Sequence, residues 1–174
     1  MAKNTKNALK GVHEEALDAL PPPPLPGAQG SIHRKNTSIS SVERQIVAAC
    51  LIGEAGGEGT KGMQAVMNVI ANRAGGDPSK FAAICLKPYQ FSMFNSATVS
   101  RKEKLGNIVA KMAKHNRWGE ALGIVDQAAS GTLKDDTKGA KYYHAPSVSP
   151  RSKPWRNLQP VTKIGSHQFY ADKR

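Results

Sequence analysis

The chain has 174 residues and a mass of 18.7 kDa, which suits one ordinary domain with a short appendage and leaves little room for two full domains. It contains no apolar run near the roughly 20 residues that a membrane-spanning helix needs, so an integral membrane protein is not expected. The 25 basic residues outnumber the 13 acidic ones, for a net charge of +12, and most of the excess falls in residues 99–174. This charge favours an acidic polymer as partner, and nucleic acid, an anionic membrane and the bacterial envelope all fit.

Residues 1–36 differ from the rest of the chain. Their apolar residues recur on one side of a predicted helix, which the prolines of residues 21–26 must end: Leu9, Val12, Ala16, Leu17 and Leu20. The prolines predict an extended polyproline rod, and residues 27–36 predict a flexible joint. No continuous apolar segment follows the first lysines, so a secretory signal peptide is not expected. We therefore predict an N-terminal arm over residues 1–36, with a disordered tail as the alternative, and one domain over residues 37–174.

The domain is predicted to be α+β, with helices first and a small β-sheet near the C-terminus. Ser40 and Glu43 have capping-box spacing and start a helix that should run to about Ala55. Four more helices follow from apolar spacing and capping residues: one near residues 60–73, a short one opened by Asp77 and Pro78, one after a second capping box at Ser100 and Glu103, and one near residues 118–130 with Gly131 at its C-terminus. Residues 140–145 and 161–170 are β-like, and Gly165 and Ser166 could form a hairpin turn.

Few groups in the sequence could hold a metal ion. Cys50 and Cys85 each lie in an apolar helical pattern, which favours buried thiols over a disulfide. His144 and His167 have no third ligand at a suitable spacing. We therefore predict neither a metal site nor another cofactor.

Glu54 is the first candidate catalytic residue. It closes an otherwise apolar helix, and a carboxyl group beside apolar walls is disfavoured in its charged form, as a general acid requires. The glycines after it leave room for a bulky ligand near the backbone. The alternative is a solvated residue at a helix end, followed by a turn.

Several motifs in chain order resemble the SleB-like cell-wall hydrolases. The resemblance covers about residues 43–171 and rests on Glu54-Ala55-Gly56-Gly57-Glu58, Asn72-Arg73, Gln90-Phe91-Ser92, Gly139-Ala140 with Tyr142-Tyr143-His144, Trp155, and Ile164-Gly165-Ser166-His167 with Phe169-Tyr170. It implies a lysozyme-like fold and a lytic transglycosylase that cleaves the bond between N-acetylmuramic acid and N-acetylglucosamine in peptidoglycan. It places the essential glutamate at Glu54.

Glu58 is the candidate for a second catalytic carboxylate. Its alternative roles are to orient Glu54, to bind sugar or to cap the next helix. The candidate substrate-binding residues carry amide, hydroxyl, aromatic or imidazole groups that suit a sugar: Gln90, Ser92, Tyr142, Tyr143 and His167.

Two other classes of protein stay open. A nucleic-acid-binding protein would fit the charge, but the sequence has no recognisable motif for it. A non-catalytic virion structural protein on a hydrolase fold is the other. Our preferred hypothesis is a bacteriophage enzyme, made in the host cytoplasm and acting on the cell wall for penetration or lysis, with residues 1–20 bound to a phage tail or another virion protein.

Overall fold

The computed structural model describes residues 39–94, 105–145 and 157–173. In these residues the helices are α1 (Ser41–Ala55), α2 (Gly59–Ala74), α3 (Phe81–Cys85), α4 (Leu105–Met112) and α5 (Trp118–Ala129), and the strands are β1 (Tyr142–His144), β2 (Leu158–Ile164) and β3 (His167–Asp172). Short 3₁₀ turns occupy Gly56–Glu58, Pro78–Lys80 and Ser92–Phe94. The predicted α+β fold, mainly helical with a small sheet near the C-terminus, is confirmed. The predicted arm, the second capping box and Trp155 lie outside the described residues.

Helix α1 is the centre of the helical part. Its capping box is formed as predicted, since the Glu43 N–H donates to Ser40 Oγ at 3.2 Å and the Ser40 N–H donates to the Glu43 carboxylate at 3.0 Å. Every residue from Ile46 to Leu51 is at most 1% exposed, and α1 contacts all four other helices. A helix that is apolar on all sides must lie in the interior. Its last turn reaches the surface on one side only: Gly53 is exposed and Glu54 is half-buried, whereas Ile52 and Ala55 are buried.

Helix α2 connects this core to the sheet. Ala65 and Val69 on α2 pack with Ala140 and Phe169 in a second apolar cluster. At the end of α2, the Asn72 amide donates to the Ala140 carbonyl at 3.0 Å and Arg73 Nε donates to the Lys141 carbonyl at 2.6 Å. These bonds fix the backbone that enters β1.

The sheet is antiparallel with the strand order β1-β3-β2. The predicted hairpin turn is present between β2 and β3, where Gly165 has a φ of 57°, a left-handed conformation that favours glycine. In the register of the sheet, Tyr143 lies opposite Phe169 and Ile164 lies opposite His167. Directly opposed residues share a face, so β1 and β3 present Tyr143 and His167 on the same side.

The two cysteines are free and fully buried, as predicted. Burial raises the pKa of the Cys50 thiol well above its ordinary value, and the neighbouring Cys85 adds to the effect. Cys50 is therefore an uncharged part of the core. Within the described residues, no helix combines the length and the apolar character that crossing a membrane requires.

Candidate active site

The Glu54 carboxylate is held between two distant parts of the chain. Its Oε1 accepts hydrogen bonds from the Ser92 N–H at 2.8 Å and from Ser92 Oγ at 3.0 Å. Its Oε2 accepts a hydrogen bond from the Tyr143 hydroxyl at 2.8 Å. Glu54 itself is half-buried, so the fixed carboxylate remains open to a ligand.

These donors restrict where a proton can sit. A backbone N–H can only donate, so Oε1 must remain an acceptor facing Ser92. A hydroxyl can donate or accept, so Tyr143 can face either the ionised or the protonated form of Oε2. The geometry therefore favours Oε2 as the oxygen that carries the transferable proton of Glu54.

Tyr143 is held rigidly by aromatic neighbours. Its ring packs edge-on against His167, with 5.1 Å between ring centroids, and lies 5.6 Å from the ring of Phe169. Burial, and then the charge of Glu54, raise the pKa of Tyr143 well above its ordinary value. Tyr143 therefore keeps its proton, and its hydroxyl is a permanent partner for Glu54.

The segment before Ser92 forms a turn beside Glu54. Phe91 is buried and fixes the turn to the core, while Gln90 and Ser92 are exposed. Tyr89 is 75% exposed and has a φ of 62°, which is left-handed. A tyrosine in this conformation is uncommon and is strained. An exposed ring next to Gln90 can stack on a sugar face.

Glu58 has a different environment from Glu54. Its Oε2 accepts from the Ser166 N–H at 3.0 Å and its Oε1 accepts from Ser166 Oγ at 2.5 Å. The side-chain bond, and then the backbone bond, lower the pKa of Glu58. Although Glu58 is the N-cap residue of α2, its side chain makes no capping hydrogen bond. The role of Glu58 in catalysis stays a prediction, and its contacts support a positioning role at the hairpin turn.

Two glycines make room for Glu58. A Cβ atom on Gly62 would overlap Glu58 Cβ, and a Cβ atom on Gly165 would overlap the Glu58 carboxylate. Gly57, in contrast, faces open space. The close approach at Gly62 and Gly165 ties the start of α2 to the hairpin that leads into His167.

The remaining predicted contact residues fall in two places. His167 is 8% exposed, and its Nδ1 is buried without a hydrogen-bond partner in the described part of the chain. Tyr142 and Gln90 line a separate cavity with Arg73. His144 bonds to Tyr170 and to the Ala145 carbonyl, on the sheet face away from Tyr143. No group of three metal-ligating side chains occurs within the described residues.

Sequence reasoning missed three features of the site. Arg73 enters the sequence analysis only as part of the Asn72-Arg73 motif, but its guanidinium lies over the rings of Phe91 and Tyr142. Tyr89 carried a weak signal, since an aromatic residue beside a proline in a polar turn has no obvious core to join. The contact between Glu58 and Ser166 had no local signal, because the two residues are 108 positions apart.

The arrangement has a defined chemical capacity. A single carboxyl group, oriented by three donors and open on one side, can give a proton to a bound oxygen and later accept one from another. The structure brings Glu54, Ser92 and Tyr143 into direct contact and adds His167 behind Tyr143. Glu58 bonds instead to Ser166, at the turn between β2 and β3.

Comparisons with known proteins agree with the fold. The fold is similar to the catalytic domain of the germination-specific lytic transglycosylase SleB from Bacillus anthracis, with a TM-score of 0.56 and 25% sequence identity over 79% of this chain and 100% of that chain. It is also similar to the catalytic domain of the Bacillus cereus SleB protein, with a TM-score of 0.55 and 23% identity over 79% of this chain and 98% of that chain. No curated protein gave a significant match.

A family model described as Cell Wall Hydrolase matches residues 57–170. The matched range begins just after Glu54, so the assignment of Glu54 depends on its geometry and on the motif that it opens. The predicted resemblance to SleB-like cell-wall hydrolases is confirmed. The chain belongs to the Cell Wall Hydrolase family.

Proposed function

We propose that this protein is a peptidoglycan lytic transglycosylase that cleaves the bond between N-acetylmuramic acid and N-acetylglucosamine, with Glu54 as its one catalytic carboxyl group. The observation that carries the proposal is the contact of Glu54 with Ser92 and Tyr143 at the open end of a buried helix. The family and the similarity to a lytic transglycosylase support the substrate class.

The mechanism needs one group that acts twice. Glu54 first donates its proton to the glycosidic oxygen, and the bond from that oxygen to the anomeric carbon of muramic acid breaks. The C6 hydroxyl of the same muramic acid then attacks the anomeric carbon and returns its proton to Glu54. A 1,6-anhydro ring forms, no water is consumed, and the enzyme regains its starting state.

The contacts of Glu58 support this mechanism over hydrolysis. Ordinary glycosidases use two carboxyl groups that flank the bond, one of which activates water or attacks the sugar. Both oxygens of Glu58 accept hydrogen bonds from Ser166. Its described hydrogen bonds place Glu58 at the hairpin with Ser166, whereas Ser92 and Tyr143 orient Glu54. Hydrolysis with Glu58 as partner is the outcome that would replace our proposal.

Other residues contribute binding and delivery. We assign sugar contacts to Gln90, Ser92, Tyr142, Tyr143 and His167, of which Ser92 and Tyr143 also orient Glu54. As a finer proposal, a bacteriophage uses the enzyme for wall penetration or lysis, with residues 1–20 bound to a tail or virion protein. Deletion of residues 1–36 should then leave activity on purified walls intact and abolish recovery of the enzyme with phage particles. Truncated enzyme that still purifies with particles would contradict this part.

The direct test of Glu54 is its replacement by glutamine. Glu54→Gln keeps the size of the side chain but removes the transferable proton, and general acid–base catalysis contributes about 10²–10⁴-fold. We expect the rate of peptidoglycan solubilisation to fall by at least that factor, with an unchanged melting temperature. Glu43→Gln at the other end of α1 is the matched control, because a glutamine also supports a capping box. Wild-type activity of Glu54→Gln would refute the assignment.

A further inference from the structure

A cavity of about 240 Å³ lies beside the site just described and is lined by six residues: Arg73, Ile84, Lys87, Gln90, Lys141 and Tyr142. Three of them, Arg73, Lys87 and Lys141, are cationic. Like charges that converge on one small space repel each other unless an anion joins them. The charges of this cavity therefore indicate an anionic ligand.

Only one of the three cations is neutralised by a carboxylate in the described residues. Lys141 pairs with Asp172 at 2.9 Å. Lys87 is exposed, and no described carboxylate pairs with it. Asp172 lies on β3, outside the lining of the cavity.

Arg73 is half-buried and packs against two aromatic rings. Its guanidinium carbon lies 5.4 Å from the centre of the Phe91 ring and 5.7 Å from that of Tyr142. Nε donates to the Lys141 carbonyl, but Nη1 is buried and has no hydrogen-bond partner among the described residues. The buried Nη1 does not itself reach the cavity, but no described carboxylate pairs with Arg73, so its positive charge can act on an oxyanion bound there.

One wall of the cavity belongs to the turn that contacts Glu54. Gln90 precedes Phe91 and Ser92, and the Ser92 N–H donates to Glu54. Tyr142 precedes Tyr143 on β1 and so faces the opposite side of the strand from the hydroxyl that donates to the same carboxylate. Through this turn, a ligand group in the cavity would lie near the sugar whose glycosidic oxygen Glu54 protonates.

We propose that this cavity binds a carboxylate of the peptide stem carried by the muramic acid at the cleavage site, with Lys87 and Arg73 as its cationic contacts. This inference rests on the proposed function. The sugars of the glycan provide hydroxyl and acetamido groups, whereas the stem provides carboxylates. The phosphate of a wall teichoic acid has similar chemistry, but the stem is attached to the reacting sugar itself and so arrives with it.

The test is a binding measurement on the full chain with Glu54→Gln, which should leave the probe intact. Three probes are titrated by calorimetry: a peptidoglycan tetrasaccharide with tetrapeptide stems, the same tetrasaccharide after amidase removal of the stems, and a teichoic acid fragment. The amidase frees a lactyl carboxylate on each muramic acid, so these groups are converted to methylamides before the stem-free probe is used. Exposed ion pairs contribute up to about 1 kcal/mol, or about fivefold in affinity. We expect Lys87→Gln to weaken binding of the stem-bearing probe about three- to fivefold, and Lys87→Glu to weaken it further.

The controls distinguish a failure of this inference from a failure of the proposed function. On the stem-free probe, the Glu54→Gln protein and its Lys87→Gln derivative should bind equally. Lys80→Gln, at an exposed lysine whose described partner is Asp77, should change no Kd. An equal loss on both sugar probes, or a loss on the teichoic acid fragment alone, would overturn the stem assignment. Cleavage of the probe by the Glu54→Gln protein would instead contradict the proposed function.

Discussion

Replacement of Tyr143 by phenylalanine isolates the single hydrogen bond to Glu54 Oε2. The substitution keeps the ring that packs against His167 and Phe169 and removes only the hydroxyl, which lies 2.8 Å from Oε2. The bond should matter because it orients the oxygen that carries the transferable proton. Folding should change little, since the hydroxyl faces a half-buried carboxylate that water can reach.

The magnitude follows from the type of bond. A hydrogen bond to a charged group contributes about 1.5–3 kcal/mol, and each 1.36 kcal/mol changes a rate about tenfold. Glu54 keeps both bonds from Ser92, so the lower end of this range applies. We expect kcat for release of soluble muropeptides to fall about tenfold, with a smaller change in KM.

Two controls decide whether the effect passes through Glu54. Tyr170→Phe makes the same chemical change on β3, where the hydroxyl bonds to His144 Nε2 at 2.8 Å, and should leave kcat within about twofold. Tyr143→Phe added to Glu54→Gln should cause no further loss, because residues that act as one unit are not additive. A tenfold loss in that background would refute the reasoning.

Three further predictions test Glu58 and Tyr89 in the site and Asp135, which bonds to Thr137 and Gly139 before β1. Glu58→Gln should lower the initial rate of wall solubilisation less than tenfold, since it disturbs only the bonds to Ser166, and a loss as large as that of Glu54→Gln would make Glu58 a catalytic carboxylate. Tyr89→Gly should raise the melting temperature, because it relieves left-handed strain of about 1 kcal/mol. The same change should weaken glycan binding, and unchanged glycan affinity would remove the proposed stacking role. Burial alone would raise the pKa of Asp135, but its hydrogen bonds, chiefly from Thr137, outweigh burial and lower the pKa. The stability that Asp135 contributes is therefore present above the ordinary aspartate pKa of about 3.9 and is lost as the pH falls below that value. Asp135→Asn should therefore be less stable at neutral pH and lose less on acidification in urea unfolding, and parallel pH curves would contradict this.

Local signals were sufficient to predict most of the secondary structure. The capping box at Ser40 and the glycines after Ala55 and Ala74 fixed the ends of α1 and α2 to within a residue or two. The hairpin at Gly165 and Ser166 was predicted from turn chemistry and the aromatic strands beside it. Asp77 does act as a cap, although the turn that it caps is 3₁₀ before α3 begins.

The site was predicted less completely, because its geometry depends on contacts between distant residues. The motif resemblance identified Glu54, Ser92 and Tyr143, but no pattern in the sequence shows that both partners donate to the same carboxylate. The role of Gly62 became clear only with Glu58 in place, since a glycine inside a helix has no local explanation other than flexibility. Long-range pairing of this kind is set by tertiary packing.

The most direct test of the central claim is the chemical identity of the product that the full chain releases from purified peptidoglycan in ¹⁸O-labelled water. Intramolecular attack by the C6 hydroxyl predicts muropeptides that end in 1,6-anhydromuramic acid and carry no ¹⁸O, as read by mass spectrometry. Reducing muramic acid ends that contain ¹⁸O would show that water attacks the sugar. That result would contradict the transglycosylase mechanism and would require a second catalytic group, with Glu58 as the first candidate.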